Sequence, residues 1–179
     1  MIEVLHAALI WTHLLGVALF VGPQFFLAVA WVPASRQIEH MPTRIAAMRT
    51  ITRRFGYLGG VGLLLIAIAG TGLLLTWRDY YLGGEGAGFF AYRFGVVFAV
   101  KMTLLAVMLT LLGLHTFFVG PLLLQKLEAQ ALGQQVDEDA LRRVRLQSMA
   151  LSVTGLVLAL VIMALGASLA TYRFSIQEF

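Results

Sequence analysis

Four long apolar runs, separated by three charged connections, set the pattern of this chain. They cover about residues 7–32, 57–76, 94–124 and 149–172, and a helix crosses a bilayer core in about 20 residues. The pattern predicts an all-α protein, an integral membrane four-helix bundle in a single domain covering residues 1–179. Lys101 is the only formally charged residue well inside any run. A lysine at the centre of a bilayer costs roughly 3 kcal/mol on insertion scales, so it calls for a partner or a function. Met108 and His115 follow it at successive seven-residue steps, which keep one helix face to within about 20° per step. Run one has a matching row of His6, His13 and Phe20, with Gln24 one turn further on.

Composition agrees with a bilayer as solvent: 60% of residues are hydrophobic and 12% charged, and the mean hydropathy is +0.87. The net charge of +4 does not call for nucleic acid, because its distribution explains it. Arg36, Arg44, Arg49, Arg53 and Arg54 crowd the first connection, and Lys126, Arg142, Arg143 and Arg145 the third. The positive-inside rule then puts both of these in the cytoplasm and both termini outside, in the periplasm, and the expected location is the inner (cytoplasmic) membrane of a prokaryote. Run one has no basic leader, its only early charge being Glu3, so it reads as a retained span rather than a signal peptide. With no cysteine, disulfides, iron–sulfur clusters and thiolate metal sites are excluded.

The connections carry local signals. Pro23 should kink span one. Pro42-Thr43 reads as a helix start with Thr43 as N-cap, opening a basic amphipathic segment on the inner leaflet. That segment is either ordinary positive-inside flanking or a contact for anionic lipid or a partner. Gly56 and Gly60 form a small-xxx-small pair in span two, suited to close helix packing or to a flat macrocycle against the backbone. The outer connection mixes Trp77, Tyr80, Tyr81, Phe89, Phe90 and Tyr92 with Gly83, Gly84, Gly86 and Gly88, which suggests an interfacial belt and a mobile cap. Asp137 is positioned to cap the helix that becomes span four.

Depth restricts the chemistry. Spans one and three run in the same direction, and His13 and Lys101 both fall about 10 Å outward of the midpoints at ~1.5 Å per residue. His115 lies about as far inward, nearest Gln24 in depth, and His6 near the outer boundary. Histidine is a usual axial ligand of haem, yet no two histidines within the spans share a level on different helices. One chain could hold haem through His13 alone or His13 opposite Lys101, and a second through His115 with His40 or a partner chain. Lys101 could equally pair with a propionate. As metal ligands, His13 and His115 are the candidates, whereas Met102, Met108, Met149 and Met163 show no convergent spacing. Hydrolase, P-loop and zincin motifs are absent.

His13-Leu14-Leu15-Gly16, the step Phe20-Val21-Gly22 and Val32-Pro33-Ala34 together resemble the first span of CopD-type copper-resistance membrane proteins. Tyr92-Arg93-Phe94-Gly95 through Lys101, with Ala69-Gly70-Thr71-Gly72 closing span two, resembles that family's later spans. The related HemJ-type protoporphyrinogen oxidases are similar in an early histidine in span one and a lysine followed by a histidine in span three, as in Lys101 and His115. The resemblance implies a four-helix bundle, b-type haem with His13 and Lys101 at important positions in the HemJ branch, and copper handling in the CopD branch. Phe20 stands where tryptophan is usual, Gly22-Pro23 where Gly-Gly is, and Val29 near the place of a HemJ-type arginine. The resemblance therefore reaches the superfamily rather than porphyrinogen oxidation.

The expected function is that of a membrane oxidoreductase component, a cytochrome b-like protein binding haem b. Its candidate residues are His13, Lys101, His115 and His6, and it would exchange electrons with a quinone, a porphyrinogen or a respiratory subunit. Copper transport or delivery is the alternative, and a structural subunit of a membrane complex, including a homo-oligomer, is the third reading.

Overall fold

Apolar side chains leave a membrane helix only one economical way to satisfy its backbone, which is to stay helical from interface to interface. The computed structural model describes residues 2–84 and 88–178, and four helices in it are long and apolar enough to cross a membrane. They are α1 (Ile2–Ser35), α2 (Met41–Leu82), α3 (Arg93–Ala131) and α4 (Glu138–Leu169), followed by a short α5 (Tyr172–Ser175). Among the described residues no strand forms, and the one isolated bridge pairs Tyr92 with Glu178. The molecule is an all-α, multi-pass membrane bundle. His6 against Tyr80 and Glu178 against Tyr92 bring both ends of the described chain to the same end as the second connection.

The helices outrun the bilayer. At about 1.5 Å per residue the 42 residues of α2 extend about 63 Å, roughly twice a hydrocarbon core of ~30 Å. The excess projects at the arginine-rich end. The basic segment expected to lie as a separate piece on the leaflet is instead continuous with span two, and its Arg49 pairs with Glu128 on the matching extension of α3. His40, not Thr43, is the N-cap residue of α2. Thr43 lies inside the first turn, its Oγ1 2.7 Å from His40 Nδ1. At the start of α4 the expected cap is present: Asp137 Oδ1 accepts the Asp139 and Ala140 amides at 2.9 and 3.2 Å.

Close packing between α1 and α2 comes from Gly16 and Gly62 rather than from Gly56 and Gly60. A methyl group on Gly16 would lie 2.8 Å from the Gly62 carbonyl oxygen, and one on Gly62 would lie 2.7 Å from the Gly16 oxygen. A methyl group on Gly56 or Gly60 would meet no other part of the chain within 4 Å. In the outer connection Gly83 and Gly84 adopt positive φ (62° and 86°) to end α2, with the Gly84 amide bonding the Arg78 carbonyl. Gly88 caps the 3-10 turn Phe89–Ala91, and Gly86 lies outside the described residues. Of the aromatics there, Trp77 and Tyr92 are buried with Phe94 and Leu169, whereas Tyr80 and Phe90 are exposed.

α1 stays α-helical through Pro23, and its irregularity comes later, as a π turn at Leu27–Trp31 ahead of Pro33. A second π turn, His115–Val119, precedes Pro121 in α3. Proline has no N–H and its ring crowds the carbonyl one turn back, so a widened turn upstream relieves both faults. The interval separating the two prolines also separates the two π turns, His6 from Phe94, His13 from Lys101 and Phe20 from Met108. A second constant interval separates Ile45 from Leu141, Ile66 from Ile162 and Gly70 from Gly166 on the even-numbered helices. The α1–α2 hairpin thus has a counterpart in α3–α4, and Phe20 and Met108 meet in the central core with Ala159 and Ile162.

Candidate functional site

The site is built two helical turns outward of that core. His13 on α1 faces α2 where Gly70 has no side chain: a methyl there would lie 3.2 Å from His13 Cε1 and 3.3 Å from Nδ1. Lys101 on α3 faces α4 in the same manner, with Nζ 3.5 Å from where a methyl on Gly166 would be. Each polar side chain therefore rests on a glycine of the neighbouring antiparallel helix. The Ile66 backbone flanks the His13 ring.

Neither group is satisfied by the chain itself. His13 Nδ1 is buried and has no hydrogen-bond partner of acceptable geometry, the Ile66 carbonyl included. Lys101 has no carboxylate or hydrogen-bond partner among the described residues. A buried nitrogen without a hydrogen-bond partner and a lysine without an ion-pair partner, at matching positions of the two hairpins, form a place suited to an anionic group with a ligand-seeking centre.

The other candidates lie elsewhere. His115 is fourteen residues inward of Lys101, about 21 Å along the helix at ~1.5 Å per residue. Its Nε2 lies 3.0 Å from Ser148 Oγ and 3.3 Å from Ser152 Oγ on α4. His6 is buried at the outer end, stacked on Tyr80 at 3.7 Å and 7°, edge-on to Tyr81, with Nδ1 3.4 Å from Thr76 Oγ1. His13 and His115 thus occupy different levels, and no three His, Cys, Asp or Glu gather around a metal-sized point among the described residues. Gln24 turns back to its own helix, its Nε2 donating to the Phe20 carbonyl at 3.1 Å.

Gly166, Ser148 and Ser152 escape a reading of the sequence, in which they look like ordinary packing residues of span four. Only the alignment of α3 against α4 gives them partners. The chain matches no protein-family profile, no curated protein and no solved structure.

Proposed function

We propose that the chain is a haem b-binding redox protein of the membrane, with His13 as iron ligand and Lys101 as second ligand or propionate counter-ion. The observation that carries this reading is that His13, whose Nδ1 has no hydrogen-bond partner, and Lys101, which has no ion-pair partner among the described residues, are each seated on a glycine at corresponding positions of the two hairpins. The residues supply the donors such a group needs: one imidazole and one ammonium, each seated against a glycine of the neighbouring helix. Haem would supply one-electron chemistry. The protein's part is to hold the imidazole between α1 and α2, offer a positive charge from α3 and keep water away with the Phe20 and Met108 layer below. The reading includes a prokaryotic cytoplasmic membrane, with the arginine-rich connections inside. Copper handling finds less support, since Met108 is committed to the apolar core and Lys101 would repel Cu(I).

The test is the absorption spectrum of the purified protein, oxidised and dithionite-reduced, with a pyridine haemochrome and metal analysis. A Soret band with about one b haem per chain, lost in His13→Ala and lost or shifted in Lys101→Leu, is the expected result. A well-folded, colourless protein from haem-replete cells would overturn it, and copper in that protein would favour the alternative.

A further inference from the structure

At the arginine-rich end of span two a cleft of about 480 Å³ runs along α2, lined by Arg49, Thr50, Arg53, Arg54 and Tyr57. Glu128 on the extension of α3 pairs with Arg49, whereas Arg53 and Arg54 have no carboxylate partner among the described residues. Three guanidinium groups against one carboxylate leave two positive charges uncompensated. Tyr57 opens the apolar run, so the cleft sits at the depth of the lipid phosphates. Deeper on the same face the helix is bare. Arg49, Arg53, Gly56 and Gly60 fall within about 60° of one another at ~100° per residue, and Gly60 lies about 10 Å further into the bilayer than Arg53. Gly56 and Gly60 are exposed with open space above them, because α1 packs along the other side of α2, at Gly62.

We propose that this face of α2 binds one acidic phospholipid. Its phosphate takes the Arg53 and Arg54 guanidinium groups, whose forked N–H donors match phosphate oxygens, and the Tyr57 hydroxyl donates beside them. One acyl chain lies along the strip over Gly56 and Gly60, where no side chain of the protein stands in its way. A second copy of the chain fits this face poorly. In a parallel two-fold pair about the two glycines, Arg49 and Arg53 would each approach their own counterparts, like charge against like. The cleft lies inward of the His13–Lys101 level and does not depend on what is bound there.

The experiment is calorimetric titration of the full chain in non-ionic detergent with phosphatidylglycerol, phosphatidylcholine and, separately, inorganic phosphate. Phosphatidylglycerol should bind saturably, one per chain, and the other two should not. Replacing both Arg53→Gln and Arg54→Gln should weaken it about thirty-fold, roughly five-fold for each arginine. Arg142→Gln with Arg143→Gln removes the same charge from the same side of the membrane and should leave the affinity unchanged. Gly60→Leu puts a side chain into open space, so the fold stands, and should weaken binding about four-fold at unchanged charge, the worth of one buried methylene. Equal losses in the two arginine pairs would mean that only total charge matters and would overturn the proposal. So would unchanged binding in Gly60→Leu, equal binding of phosphatidylcholine, or inorganic phosphate binding as tightly as the lipid. Light scattering on the same samples covers the remaining occupant: a dimer that Gly60→Leu dissociates would give the strip to a second copy and overturn the lipid assignment.

Discussion

At the scale of single residues, glycine does two different jobs here, and the difference is measurable. Gly16 and Gly62 let two backbones touch, whereas Gly22 has nothing within 4 Å of its absent side chain. A methyl at residue 16 meets backbone oxygen and nitrogen, neither of which can move without shifting a whole helix. Gly16→Ala should therefore destabilise the bundle by about 1–3 kcal/mol, the usual cost of overpacking, while Gly22→Ala should cost nothing. Reversible unfolding in mixed micelles measures both, and equal stability of the two variants would show that the helices are not in backbone contact. His115 is a residue of another kind. Its serine partners make it an inter-helix tie, at a depth where such bonds average only about 0.6 kcal/mol.

At the scale of elements, the inner ends are where solution conditions act. The amide of Ala140 first, then that of Asp139, with Arg143 and Lys126 nearby, hold the Asp137 carboxyl below its ordinary value. A lowered pKa in the folded state means the carboxylate contributes stability above the ordinary aspartate range, near ~3.9, and loses it as pH falls through the lowered value. The first turn of α4 should then fray on acidification. Hydrogen exchange at the Asp139 and Ala140 amides should speed up in acid beyond the intrinsic pH effect. Asp137→Asn should remove that excess, and an excess that persists in it would assign the fraying elsewhere. This cap was legible in the sequence because capping is a local signal, as were the four spans. The π turns were not, because proline announces a fault without saying how far upstream the helix will absorb it. Thr43 misled for a related reason: Met41 and Pro42 already fit the first helical turn, so the chain enters the helix earlier, at His40.

At the scale of the whole molecule, the repeated spacing between α1 and α3 explains what a reading by depth could and could not see. Depth alone put His13 and Lys101 at one level. The seats beneath them became legible only once both hairpins were packed, since only the packing shows that His13 rests on Gly70 and Lys101 on Gly166. The correspondence of the hairpins makes a sharp demand on the proposed site. Lys101 occupies in α3 the place that His13 occupies in α1, and a glycine lies across from each. An imidazole introduced by Lys101→His should find the same seat and bring two imidazoles to one level from different helices. With haem bound between them, the variant should show the sharp reduced α-band of six-coordinate, low-spin, bis-histidine iron. A spectrum identical to the wild type would make Lys101 a counter-ion rather than a ligand. A well-folded variant that holds no haem, beside a wild type that does, would mean that the two positions do not share a site and that the likeness of the hairpins stops at their backbones.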